Sequence, residues 1–176
     1  MRTNDVPLSS KAIGYANLHD LLDLVLSVLP KEEQERTGGY FTIYRGITSD
    51  NTSYEMFGRL VGIVPKEKED RYRAFSAEKA LRLSLHDDHV SSFQSCDETN
   101  NKWPGAVRRD KECDIFSFSG LPWKADEALM LAFCVNTGEM TCYEAYEIAK
   151  SSENDVYMTL TEKDESLVAG FATKHP

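Results

Sequence analysis

The sequence predicts a single α+β domain in which an N-terminal helix accompanies curved sheets, mixed but mainly antiparallel. Three observations carry that class. A leucine-rich stripe at helical spacing lies near the N-terminus, runs rich in aromatic and β-branched residues follow it, and helical segments come first with strands later. The length of 176 residues suits one compact domain over 1–176, long enough to bury a sizeable core without metal or disulfide staples.

Residues 1–12 are polar and are expected to be loosely held. Leu18, Leu21, Leu22, Val25, Leu26 and Leu29 fall on one helical stripe, with Asn17 as its N-cap and Pro30 as its stop. Residues 40–47 are dense in aromatic and β-branched side chains and predict a strand. A polar turn over 49–53 then leads to a short helical segment. Beyond the charged stretch 66–73, Ser76 takes the N-cap position of a helix over 77–85. Residues 95–113 are expected to form a long surface loop, and 115–119 a strand ended by Gly120-Leu121-Pro122. The apolar run 127–135 fits either a helix or a buried strand, since periodicity does not separate the two. Residues 156–160 form a strand by composition, and 166–172 a last strand paired to it through a charged turn.

Charge narrows the function classes. Asp plus Glu number 29 against 20 for Lys plus Arg, and a net charge of -9 argues against non-specific nucleic-acid binding. No apolar run approaches the roughly 18 residues of a membrane-spanning helix, so no membrane partner is expected. Cys96, Cys113, Cys134 and Cys142 form no CxxC pair. Without a signal-peptide core at the N-terminus, four reduced thiols in the cytoplasm are favoured over two disulfides in a secreted domain.

His86 and His89 stand at HxxH spacing, which on a helix would put both imidazoles on one face. No third ligand is set by spacing; Asp87, Asp88, Cys96 and Cys113 are all near, and a solvated helix end is the favoured reading. No metal is expected. The chain has no GxSxG elbow and no glycine-rich phosphate loop. Arg108-Arg109 near Trp103 is cancelled by the acidic residues that follow.

Two segments carry more chemistry. Arg45 shares an otherwise apolar strand face with Phe41, Ile43 and Ile47, so its guanidinium needs a partner. A structural ion pair is one answer, and an anionic ligand approaching beside Gly46 is the other. If residues 153–157 enter a strand, Glu153 and Asp155 share a face, where paired carboxylates can hold a ribose diol and stabilise charge at its anomeric carbon. A polar turn is the alternative.

In order along the chain, Tyr44-Arg45-Gly46, Phe75-Ser76 and Glu153-Asn154-Asp155 resemble the mono-ADP-ribosyltransferases of the Arg-Ser-Glu type, which include phage and bacterial toxins. The resemblance covers residues 40–160 and implies the ADP-ribosyltransferase fold, NAD as substrate and a protein acceptor. It implies that Arg45 and Gly46 contact NAD and that Ser76 orders the nicotinamide pocket, with Ser117 in Ser117-Phe118-Ser119 matching the serine element as well. Asp155 takes the position of the catalytic carboxylate, one methylene shorter than the family's Glu, and Glu153 that of the acceptor-engaging Glu. Tyr143 or Tyr146 falls in the target-recognising loop. Such a protein would be a phage or bacterial effector, cytoplasmic or delivered into a host cell. The competing expectation is a non-catalytic acidic module, for example an inhibitor, that covers a basic protein partner. Whether Arg45 lies in a concave pocket or in an ion pair separates the two.

Overall fold

A computed structural model describes residues 8–46, 54–109 and 114–168 of the chain. Five helices and one four-stranded sheet are present among them: α1 Leu8–Val28, β1 Gly38–Gly46, β2 Tyr54–Gly62, α2 Lys66–Ser84, β3 Ala106–Arg108, β4 Ile115–Ser119, α3 Trp123–Asn136, α4 Cys142–Ser151 and α5 Asp155–Lys163. The strand order is β2-β1-β4-β3, and every pairing is antiparallel. The α+β class and the N-terminal helix hold, while the expected mixture of strand directions does not occur among these residues. The strands lie in the middle of the chain, with three helices after them.

Alternation along the two central strands sorts the core. Phe41 pairs with Phe118 and Ile43 with Phe116, all on one face; Thr42 pairs with Ser117 and Tyr44 with Ile115 on the other. The first face is covered by α1 and α3. There Phe133 meets Phe41 edge-on at 5.2 Å and Phe116 at 5.5 Å, and the Leu18, Leu21, Leu22, Val25 and Leu29 stripe closes the cluster. The second face is covered by α2, whose Ala80 and Leu83 pack with Ala106 and Ile115. No helix among the described residues is long and apolar enough to cross a membrane.

Several elements differ from expectation for identifiable reasons. Helix α1 starts at Leu8 rather than behind Asn17, because no proline interrupts the segment before Val28. The segment expected to be a short helix is strand β2, which pairs with β1 from Gly38↔Gly62 to Gly46↔Tyr54. Helix α2 starts at Lys66 behind Pro65, with Glu67 and Glu69 in its first turn, where the helix dipole favours them. Ser76 is therefore no N-cap but a mid-helix residue. The open choice over 127–135 resolves to helix α3.

The span 95–113 is not simply a surface loop. It carries part of a 3-10 turn at Ser92–Ser95, another at Glu98–Asn100 and strand β3, and residues 104–107 are buried. Arg82 orders it by donating to the carbonyls of Ser92, Ser95 and Trp103 at 2.8, 2.9 and 2.7 Å. The supposed strand over 156–160 is helix α5. The Asn154 side chain caps it by accepting from Tyr157 N at 3.0 Å, and Tyr157 and Leu160, one turn apart, are its buried pair. Helical burial outweighs the β propensity of Val, Tyr and Thr here. Beyond it, Glu165–Leu167 makes one 3-10 turn and Val168 a further turn instead of a strand, and residues 169–172 lie outside the described residues.

A buried polar knot fastens α2 to the sheet. Ser76 Oγ donates to Thr42 Oγ1 at 2.8 Å, and Ser117 Oγ donates to the Ser76 carbonyl at 2.9 Å, with all three residues at most 1% exposed. Ser76→Ala is expected to lower stability by about 1–2 kcal/mol in urea unfolding, because the Thr42 hydroxyl is left buried without its donor. Thr42→Val combined with Ser76→Ala should cost less than the two single changes added together, since both partners are then apolar.

Candidate functional site

A cleft of about 610 Å³ opens where four segments meet. The α1–β1 connection brings Glu32, Glu33, Glu35 and Arg36; α2 brings Arg71, Tyr72, Phe75 and Lys79; Asn101 and Trp103 follow the second 3-10 turn; and 119–123 with Asp126 form the turn into α3. Both tryptophans of the chain, Trp103 and Trp123, line it. Each wall is held from behind. Gln34 Nε2 donates to Leu29 O at 2.7 Å and steadies the glutamate-rich loop, Arg82 anchors the Trp103 carbonyl, and the Trp123 ring stacks on Phe93 at 5.9 Å.

Its floor is an ion pair. Lys79 Nζ lies 2.7 Å from Asp126 Oδ2 and 2.9 Å from the Phe118 carbonyl, and Leu121 N donates to Asp126 Oδ1 at 2.9 Å. Both side chains are 3% exposed. Burial pushes the Asp126 carboxyl up from 3.8 to about 6, against the pull of Lys79 and of the Leu121 amide. Gly105 makes room for the pair: with φ at 128°, a Cβ there would stand 2.8 Å from Lys79 Nζ and 2.8 Å from Asp126 Cβ.

The rings of the cleft already accept cations from the chain itself. Arg71 sits over Phe75 at 5.4 Å, and Lys124 Nζ lies 5.7 Å from the centre of the Trp123 ring. Next to Asp126, Glu127 is fully buried and points elsewhere. It accepts from Ser152 Oγ at 2.6 Å, from Asn154 Nδ2 at 2.9 Å and from Ser91 Oγ, and so ties the α4–α5 connection to the segment before β3.

Of the residues given site roles from sequence, none of Arg45, Gly46, Ser76, Ser117, Glu153 and Asp155 lines this cleft, although Phe75 and Trp103, named beside them, do. Arg45 forks onto Asp114, Nε to Oδ1 at 2.9 Å and Nη2 to Oδ2 at 2.8 Å, which is the ion-pair alternative rather than the pocket. Gly46 ends β1 beside it, opposite Tyr54. Ser76 and Ser117 are sealed in the knot between α2 and the sheet. Glu153 is exposed in the α4–α5 connection with φ at 52°, and Asp155 opens α5, so the two do not share a strand face. The hydrogen bond from Lys124 Nζ, 2.8 Å long, holds the Asp155 carboxyl below its ordinary value.

Strand pairing also separates the set. Tyr44 pairs with Ile115 and Tyr40 with Ser119, so Arg45–Asp114 stands at one end of β4 and the turn into α3, whose Lys124 pairs with Asp155 of α5, at the other. Five strand residues lie between them, about 17 Å. Tyr143 is exposed and Tyr146 half-buried on α4. His86 and His89 stack in a turn beyond the end of α2, not on a helix face. Among the cysteines, Cys96, Cys134 and Cys142 are free thiols, and Cys113 lies outside the described residues. Comparison with protein-family models, curated proteins and solved structures finds no match.

Sequence reasoning missed Lys79, Asp126 and the aromatic walls. One signal was present: Lys79 lies among Ser76, Ala80 and Leu83 on the inward face of α2, and Asp126-Glu127 leads directly into an apolar run. Charges in such places need partners.

Lys79→Met should cost about 3–5 kcal/mol in denaturant unfolding, because it leaves a buried carboxylate unpaired, and adding Asp126→Leu should restore most of that loss. The pH dependence has a defined sign. With its folded value raised to about 6, Asp126 holds its proton more tightly in the folded than in the unfolded chain. Its contribution to stability is therefore greatest below the ordinary value and is lost as pH rises through about 6. The stability of the wild type relative to Asp126→Asn should fall over that window.

Proposed function

We propose that this chain is a binding module for a basic segment of a partner protein, and that lysine or arginine side chains of that segment enter the aromatic cleft. The observation that carries the reading is the pair of cation–ring contacts, Arg71 over Phe75 and Lys124 beside Trp123: two of the four aromatic walls already hold a cation in the free protein. An incoming guanidinium or ammonium would exchange with these. Glu32, Glu33 and Glu35 are exposed on the rim, where they would meet the positive charge that remains in water. The net charge of -9 draws a basic partner over longer range. The floor supplies shape rather than charge, since Lys79 and Asp126 neutralise one another.

The transferase reading requires Arg45, a serine and a late carboxylate to gather around one NAD molecule. The Arg45–Asp114 pair, the burial of Ser76 and Ser117, and the distance along β4 to Asp155 weigh against it. NAD is accordingly expected not to raise the melting temperature of the wild type.

Because both tryptophans line the cleft, intrinsic fluorescence reports its occupancy directly. Titration with a lysine- and arginine-rich peptide should give a saturable change that weakens as salt rises, while a glutamate-rich peptide of equal length gives none. Trp103→Ala should weaken binding about tenfold, the loss of one cation–ring contact of ~1.4 kcal/mol, with Trp103→Phe recovering part of it. Replacing Glu32, Glu33 and Glu35 together by Gln should weaken binding several-fold and flatten its salt dependence. Equal responses to the two peptides would refute the proposal, as would a saturable NAD shift abolished by Arg45→Ala.

A further inference from the structure

The turn that follows α2 carries a second, independent feature. Ser84 ends the helix, and backbone bonds from Leu85 N to Arg82 O, His86 N to Leu83 O and His89 N to His86 O wind the chain through His86, Asp87, Asp88 and His89. Arg108 of β3 pins this turn from outside. Its Nη2 donates to the carbonyls of Leu83 and His86, the latter at 2.9 Å, and its Nη1 lies 3.8 Å from Asp87 Oδ1. The next residues are tied to the same strand, since Arg108 N donates to Val90 O at 2.8 Å. A turn held at both ends keeps the side chains it carries in register with one another.

Three of those side chains converge. One ligand atom each from His86, Asp88 and His89 lies within 4.8 Å of the other two. The imidazole rings are nearly parallel, 18° apart with centroids at 4.4 Å, and His89 Nε2 lies 4.0 Å from Asp88 Oδ1. The other nitrogen of His89, Nδ1, is buried and has no hydrogen-bond partner among the described residues. A buried polar ring atom left in that state costs free energy.

We propose that His86, Asp88 and His89 form a binding site for one divalent transition-metal ion, of the class of Zn²⁺, Co²⁺ or Ni²⁺. Two neutral imidazoles and one carboxylate are the donor set such borderline ions take, whereas Ca²⁺ and Mg²⁺ favour all-oxygen sites. Bonds of about 2.0–2.2 Å in tetrahedral geometry place donors about 3.4 Å apart, so side-chain rotation of about an ångström closes the present arrangement around an ion. The single ligating carboxylate leaves one positive charge on the site. His86 and Asp88 are exposed, which leaves the remaining coordination positions to water. The site lies on the turn beyond α2, and none of its three residues lines the aromatic cleft, so it stands whether or not the basic-segment reading holds.

The test is a Co²⁺ titration of the full chain followed by visible absorption, with Zn²⁺ as competitor. One equivalent should bind with ligand-field bands and no thiolate-to-cobalt charge-transfer band, and Zn²⁺ should displace it. His86→Ala and His89→Ala should each weaken binding by more than about tenfold, since loss of outer-shell groups alone costs about 10–100-fold. Asp88→Asn, a change at a side chain 86% exposed that leaves folding untouched, should weaken it as well, and His19→Ala, on α1, should leave it unchanged. Binding of equal strength in wild type and Asp88→Asn would overturn the proposal. So would a thiolate band, which would put the metal on the cysteines, or the absence of any cobalt spectrum.

Discussion

The contact between Lys79 and Asp126 is the joint on which the rest of this fold depends. It links α2, which covers one face of the sheet, to α3, which covers the other, and it does so past the end of β4, taking in the Phe118 carbonyl on the way. Such a bridge crosses the sheet only where the neighbouring chain is thin enough to let a lysine through, and Gly105, just before β3, meets that need. Two helix layers joined through a sheet end cannot slide independently, because displacing either one strands a buried charge. The same joint closes the bottom of the aromatic cleft, so stability and the shape of the candidate site rest on one interaction.

Other buried polar groups share this work of alignment. Thr42, Ser76 and Ser117 set how α2 lies along the sheet, Arg82 gathers the carbonyls of the segment from Ser92 to Trp103, and Glu127 binds that segment to the α4–α5 connection. Each is a satisfied cluster rather than a lone polar atom, which is the condition under which buried polarity specifies one arrangement instead of weakening it. Part of the cleft, the α1–β1 connection and the stretch with Asn101 and Trp103, comes from segments without long regular structure, while α2 and the start of α3 supply the remaining walls. A binding surface that sets irregular chain against a rigid base is a common division of labour.

The sheet also decides which chemistry can meet. Antiparallel pairing of β1 with β4 sends Arg45 to one end and the start of α3 to the other, so residues that stand in a suggestive order along the chain are held apart by the length of a strand. Motif order is a one-dimensional property, and strand direction can preserve or undo it. Here the arginine is taken up by Asp114, and the late carboxylate by Lys124.

By itself the sequence determined the α+β class, the Leu18–Leu29 stripe, the β1 strand around Arg45 and the strand at 115–119, because each of these announces itself through local spacing and composition. It also pointed to a partner for Arg45, since a guanidinium beside apolar strand neighbours gains from an acidic one. Tertiary structure alone decided the rest. Val156 to Leu160 became helix because Tyr157 and Leu160 had an apolar surface to bury against, a surface that local propensity cannot register. Residues 104–107 became interior because β4 and α2 were there to cover them. The cleft was illegible for the same reason: Lys79 and Asp126 are far apart in the chain, and their meeting follows from how α2 and α3 pack, a long-range outcome that no window of neighbouring residues contains.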